Sequence, residues 1–241
     1  MSRLLSRSFL NKDSVTRGRS PAYASTIETM KPTLAIITLL AATGIAVAQT
    51  KVNFDDASTL PKGWESGLTG KGAAKWEVVA DDTAPSPKNV LRQSGEATFC
   101  WAAKTDERIK DGFVETKFKP VSGKEDQAGG LVFRFKDANN YYVVRANALE
   151  DNVVLYKTVD GKRSSLSVKG RTFGYGVDAK VPKAKWSTLR VEFHGSLFTV
   201  SLNGKKLFDV EDDTFKDAGA VGVWTKADSV TLFDDFRFGT K

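Results

Sequence analysis

From Thr50 onward apolar and polar side chains alternate with a period of two, in short runs broken by Gly, Asn, Asp and Pro. That period sends successive side chains to opposite faces of an extended strand. It predicts strands over Val52–Phe54, Trp76–Val79, Val90–Gln93, Thr98–Ala102, Phe113–Phe118, Leu131–Lys136 and Tyr141–Ala148. Further strands are predicted over Val153–Thr158, Ser165–Val168, Trp186–Phe193, Leu197–Leu202, Lys206–Val210, Ala220–Thr225 and Val230–Phe238. β-Branched and aromatic residues dominate these runs. No stretch repeats apolar residues with helical spacing, so long helices are not expected. Asn203-Gly204 and Asp160-Gly161 read as two-residue hairpin turns, because both residues of each pair take positive φ at low cost. About fourteen short strands fit an all-β fold of two stacked antiparallel sheets, each of roughly six or seven. The segment Ala57–Ala74, with Pro61 and glycines at 63, 67, 70 and 72, reads as a long loop, and Asp81–Lys88 as another. No linker interrupts the run, so a single domain over 49–241 is expected.

The N-terminal part differs. Leu34–Ala48 is uncharged and apolar or small throughout, and its fifteen residues fall short of the ~20 that span a bilayer as a helix. Lys31 precedes the run, and Ala46-Val47-Ala48 closes it in the A-x-A form of a signal-peptidase site. Met30–Ala48 therefore reads as a secretory signal cleaved before Gln49, implying a secreted or periplasmic protein with no membrane span. Residues 1–29 read as an extension from an upstream start; a transit peptide is the rival, weakened by Asp13 and Glu28.

Charge changes in weight once this is removed. The full chain carries 36 Lys and Arg against 29 Asp and Glu, a net +7. Without residues 1–48 it holds 30 basic and 27 acidic residues, and the case for a nucleic-acid partner falls away. One Cys and one His exclude a disulfide framework, Cys-rich zinc sites and paired-His metal centres. No cofactor is called for. Carboxylates, arginines and aromatic rings are left for any chemistry.

The segment Gly129–Lys157 shows two faces. With Lys136 set opposite Tyr141, Arg134 faces Val143 and Val132 faces Arg145. Continuing through Glu150-Asp151 with Leu149 opposite Asn152, Asn147 faces Val154 and Arg145 faces Tyr156. One surface then gathers Leu131, Phe133, Phe135, Tyr142, Val144, Ala146, Val153 and Leu155 as a core face. The other gathers Arg134, Lys136, Tyr141, Arg145, Asn147 and Tyr156 among valines. It is either a solvated outer face with ordinary cross-strand pairs or a binding face, with rings stacking on sugars while polar groups satisfy hydroxyls.

The stretch AGGLVFRFKDANNYYVVRANALEDNVVLYK, followed by KWSTLRVEFHGSLFTVSLNGKKLFDVED and AGAVGVWTKADSVTLFDDFRF, resembles concanavalin A-like lectin/glucanase (LamG-like jelly-roll) domains. Among these it is similar to secreted bacterial proteins of the 3-keto-disaccharide hydrolase domain group, over roughly Val52–Phe238. The resemblance implies a two-sheet jelly roll with a curved groove and a carbohydrate partner, an oligo- or polysaccharide. On the matching positions it points to Arg134, Tyr141, Arg145, Asn147, Glu150 and Trp224 as groove residues; Tyr156 joins them by register alone. Glycan binding on the concave face is the leading expectation. A hydrolase of the keto-disaccharide kind, with Glu150 as acid or base, and a structural or adhesive protein-binding module are the alternatives. Laminarinase-type relatives carry E-x-D-x-x-E or E-x-D-x-E, whose paired carboxylates stand ~5 Å apart in a retaining enzyme. No such run occurs here, since Glu115 is isolated and Glu211-Asp212-Asp213 lacks the spacing.

Other residues read more plainly. His194 lies near a strand end with no identifiable partner, and Cys100 reads as a buried thiol. Phe54-Asp55-Asp56 and Phe233-Asp234-Asp235 either share a structural Ca²⁺ or cap turns. Among the tryptophans, Trp64 in the Gly-rich stretch is the one placed where a ligand platform would fit.

Overall fold

The structure, a computed structural model, describes residues 49–172 and 174–240. The predicted secretory signal and the extension before it lie outside these residues. The strands are β1 (Gln49–Val52), β2 (Trp64–Ala73), β3 (Trp76–Ala80), β4 (Asn89–Gln93), β5 (Glu96–Ile109), β6 (Gly112–Ser122), β7 (Ala128–Asp137) and β8 (Asn140–Asn147). Then follow β9 (Asn152–Val159), β10 (Lys162–Ser165), β11 (Val177–Asp178), β12 (Ser187–His194), β13 (Leu197–Leu202), β14 (Lys205–Glu211), β15 (Gly219–Ala227) and β16 (Val230–Thr240). They form two antiparallel sheets among the described residues. One has the order β14-β13-β12-β6-β16-β4-β3, with β1 also on β16; the other has the order β10-β9-β8-β7-β15-β5-β2, with β11 also on β9. No helix among the described residues is long and apolar enough to cross a membrane.

Local chemistry explains the turns. Asn203-Gly204 and Asp160-Gly161 take φ of 51° and 76°, and of 49° and 77°, the left-handed pair whose twist matches the flanking strands. The faces that look inward from both sheets share one core, to which β8 gives Tyr142, Val144 and Ala146, β9 gives Val153 and Leu155, and β12 gives Leu189, Val191 and Phe193.

Two expectations are corrected here. The stretch expected as a loop contains β2, paired with β5. Its glycines are there for close approach: a Cβ on Gly67 would lie 2.5 Å from the Trp101 ring, and one on Gly70 would lie 2.7 Å from Thr98. Trp64 opens that strand as a core residue, edge-on to Phe54 and Phe236, and is no ligand platform.

The second correction concerns register. β7 and β8 begin at Asp137 opposite Asn140 as expected, but beyond a bulge Phe133 faces Tyr142 and Gly130 faces Arg145. The bulge centres on Arg134, at φ 45°. Gly219 on the neighbouring β15 makes room for it, since a Cβ there would meet the Arg134 backbone at 2.4 Å. Three β7 residues there stand opposite one on β8, and the irregular backbone changes the side on which Arg134 and Phe135 emerge. Phe135, expected in the core, lies on the second face, while Arg134 turns to the core side. Between β8 and β9 the pairing is shifted by two, with Asn147 opposite Asn152 and Arg145 opposite Val154, which preserves the faces.

Candidate functional site

The face of the second sheet that points away from the shared core is not flat. The Tyr141 hydroxyl on β8 meets Thr69 Oγ1 on β2 at 2.9 Å, although β7, β15 and β5 lie between these strands. From the opposite edge, the Arg163 guanidinium of β10 reaches within 4.6 Å of the Phe99 ring centre on β5. The sheet therefore curls until its edges meet across its own concave face. A second apolar cluster fills the middle, including Phe99, Trp101, Phe135, Tyr141, Tyr156 and Trp224.

This arrangement relocates the predicted platforms. Tyr141 and Trp224 are 0% exposed and Tyr156 2%. Trp224 Nε1 donates to the Tyr141 hydroxyl at 3.4 Å, and Phe99 packs against Trp224 with ring centres 5.3 Å apart. The three rings form a strut across the groove, and no ring face is open for a sugar. Arg134, 1% exposed, is not in the groove at all. It donates to Lys110 O (2.9 and 3.1 Å), Phe215 O (2.8 Å) and Gly195 O (2.6 Å), with Asp111 at 3.3 Å. It is a clamp for three loops.

The other predicted residues do come together, at the β8–β9 turn. Arg145 Nη1 and Nη2 donate to Glu150 Oε1 and Oε2 at 3.2 and 2.8 Å. Asn147 Nδ2 donates to Glu150 Oε1 at 3.0 Å and to Asp126 at 2.6 Å; Asn152 Nδ2 donates to Glu150 Oε2 at 2.8 Å. Lys226 closes the chain on Asp126. The Glu150 side chain is 40% exposed, yet four protein donors occupy its acceptor positions. Burial pushes its carboxyl up, but the Arg145 and Asn152 hydrogen bonds outweigh this and hold it below the usual carboxylate range. It is a fixed carboxylate, without the proton a general acid needs.

Sequence reasoning missed Asp126, Asn152, Arg163, Tyr175 and Lys226. Asn152 is the cross-strand partner of Asn147, which the correct register would have shown. The rest arrive from distant segments with no local signal. Tyr175, 49% exposed, carries its hydroxyl to that of Tyr156 and its ring to 5.8 Å from the Arg145 guanidinium.

Beside this network lies an open depression of about 510 Å³, lined by Lys71, Glu96, Thr98, Glu125 and Lys226 with Gly72, Ala97 and Ala227. On the far side of Phe99 along β5, a second hollow of about 430 Å³ is lined by Trp101, Phe135, Glu65, Arg108 and Lys136. The strut thus divides the concave face into two ends.

The remaining candidates have ordinary roles. His194 is exposed at the end of β12. Burial between strands pushes the Cys100 thiol up to about 11. Asp234 accepts from Ser86 N and Oγ at 2.8 and 2.9 Å, and Asp235 pairs with Lys51 and Lys117. Asp55 accepts from the Asn89 amide at 3.2 Å. These aspartates cap turns and pair lysines where a Ca²⁺ cage was the alternative, and no cluster suited to a metal occurs among the described residues.

Residues 49–238 match the model of a domain family described as 3-keto-alpha-glucoside-1,2-lyase-like. No curated protein matches the chain by sequence. Among solved structures, the carbohydrate-binding module CBM66 from Bacillus subtilis is similar at TM-score 0.56 and 21% identity, over 73% of this chain and 94% of that one. The cellulose-induced protein Cip1 is similar at TM-score 0.57 and 12% identity, over 80% and 97%. A Bacteroides ovatus mixed-linkage glucan GH16 protein, solved with a G4G4G3G product, is similar at TM-score 0.53 and 9% identity, over 78% and 98%. These likenesses place the fold among two-sheet jelly-roll sandwiches of the concanavalin A-like kind.

Proposed function

From the premise that the chain belongs to the 3-keto-alpha-glucoside-1,2-lyase-like domain family, we propose that it is an exported, single-domain protein that binds a glycan at the Glu150 end of its curled sheet. Export rests on the signal pattern of Met30–Ala48.

One observation carries the binding reading. A polar depression opens against a network in which Arg145, Glu150, Asn147, Asn152, Asp126 and Lys226 already hold one another. Such a frame loses little side-chain freedom when a ligand docks, which is where much of the cost of binding lies. The frame leaves Glu125, Thr98 and the donors of Lys226 not spent on Asp126 to meet sugar hydroxyls, and the exposed Tyr175 ring to lie against a pyranose face. Glu150 then acts by fixing Arg145 and the two asparagines, and the ligand touches the residues around it.

A panel of neutral oligosaccharides in titration calorimetry tests this. Tyr175→Ala and Lys226→Gln are expected to weaken binding about tenfold or more each, from loss of a stacking face and of a charged donor. Glu150→Gln, which leaves Arg145 without its carboxylate, is expected to weaken it further. Unchanged affinity in all three variants overturns the site.

The family description favours a second reading, elimination on a 3-keto-glucoside. There a base removes the C2 proton made acidic by the C3 ketone, the C1–O bond breaks, and the departing oxygen takes up a proton. Glu125 and Glu96 are the carboxylates facing the depression. Release of the aglycone from a 3-keto-disaccharide, lost in Glu125→Gln or Glu96→Gln, supports this reading, and absence of any release refutes it.

A further inference from the structure

Among the described residues, the buried and half-buried cations around the Glu150 network pair off with one exception, while Lys71 and Glu96 on the rim of the depression are exposed. Arg145 is matched by Glu150, and Lys226 by Asp126, with Glu125 also 3.7 Å away. Arg163 is matched by no carboxylate among the described residues. Its guanidinium lies among three rings, 4.2 Å from the Tyr156 centre, 4.6 Å from Phe99 and 5.5 Å from Trp224. It makes no hydrogen bond or ion pair with any described residue, and its buried Nη1 has no partner. Ring faces attract a cation, but they offer nothing to the N–H groups around its edge.

Arg163 is half-buried, and its Nη1 has lost water without gaining a partner, which is costly unless something completes the guanidinium. The geometry suits a planar anion, because a guanidinium presents parallel N–H pairs that match both oxygens of a carboxylate. A second donor is close by. The Tyr156 and Tyr175 hydroxyls share one hydrogen bond, which leaves one O–H of the pair unspent, and Tyr175 is the half-exposed member. The position also faces the proposed ligand, since Phe99, under Arg163, is the cross-strand partner of Lys226. Glu150 does not serve Arg163, because its four acceptor positions are already occupied.

We propose that Arg163 receives a carboxylate of the bound glycan, so that the ligand is an oligosaccharide containing a uronic acid. This rests on the carbohydrate-binding reading and narrows it to an acidic sugar. The aromatic box then does two things. It holds the guanidinium flat and rigid, and it keeps water from the face that the carboxylate does not use.

The test uses oligomers of galacturonate, glucuronate and mannuronate, each beside the same oligomer with its carboxyl groups reduced to alcohols. Affinities are measured by titration calorimetry at low and high salt. The wild-type chain is expected to bind at least one uronate about tenfold more tightly than its reduced form, with the difference shrinking at high salt. Arg163→Gln is expected to abolish that preference, so that the acid and reduced forms of each oligomer bind alike. Arg163→Lys, which keeps the charge and most of the stem in the aromatic box, is expected to retain part of it. Equal affinity of the wild type for acid and reduced forms overturns the proposal, as does a preference that persists in a folded Arg163→Gln. Binding of neutral glycans without any preference for acids refutes the uronate reading alone. Absence of binding to every glycan refutes the carbohydrate reading as well.

Discussion

Replacing Arg134 by Met separates a structural clamp from a ligand anchor. Arg134 was expected in the groove, yet it points to the core side, where its guanidinium lies 5.8 and 5.4 Å from the Phe193 and Phe198 ring centres. Methionine retains much of the apolar stem and deletes every donor. The carbonyls of Lys110, Phe215 and Gly195 then lose their partner together. Leaving the buried Phe215 carbonyl unpaired costs about 1–3 kcal/mol, and the part-buried carbonyls of Lys110 and Gly195, on exposed residues, add less each because water can replace the guanidinium. The guanidinium's own desolvation, which already lowers its pKa, is refunded on its removal. A net loss of about 2–4 kcal/mol is therefore expected. With a urea slope of about 2 kcal/mol/M, the unfolding midpoint falls by roughly 1–2 M. Glycan affinity, measured below that midpoint, stays within about twofold of wild type, because the clamp and the Glu150 end share no residue. A midpoint shift under about 0.5 M, or a large loss of affinity in the folded variant, refutes the assignment.

Three further outcomes follow from the same geometry. Gly67→Ala puts a Cβ 2.5 Å from the rigid Trp101 indole and is expected to lower stability by about 1–3 kcal/mol, read as a fall in Tm. Cys100, buried with its thiol pushed up to about 11, is expected to resist a thiol reagent at pH 8 until the protein unfolds; rapid labelling of native protein contradicts this. Burial pushes the Asp212 carboxyl up, but hydrogen bonds from Lys157 and Tyr142 outweigh it and hold it below its ordinary 3.8. Its contribution is thus complete above that value and is lost as pH falls through the lower folded value, so Asp212→Asn is expected to flatten the acid limb of stability against pH.

Local pattern made much of this protein legible. Period-two alternation, β-branched composition and the Asn-Gly and Asp-Gly turns were enough for two antiparallel sheets. The same alternation assigned Tyr142, Val144, Val153 and Leu155 to the core and Tyr141, Arg145 and Tyr156 to the other face, as found. Where backbone exceptions intervene it failed. The bulge at Arg134 depends on room left by Gly219, 85 positions later in the chain, and the β2 glycines imitate a loop because they make way for Trp101 and Thr98.

What the sequence determined by itself is which side of a regular strand each residue occupies, because away from bulges that is fixed by the residue's own neighbours in the chain. What only the tertiary structure decided is what lies over each side. The curl that brings Thr69 onto Tyr141 and Arg163 onto Phe99 joins strands separated by three and four others. It turned three predicted platforms into a buried strut. It also gathered Asp126, Arg163, Tyr175 and Lys226 around Glu150, because burial depends on how far a sheet bends, and that is a property of the whole sheet.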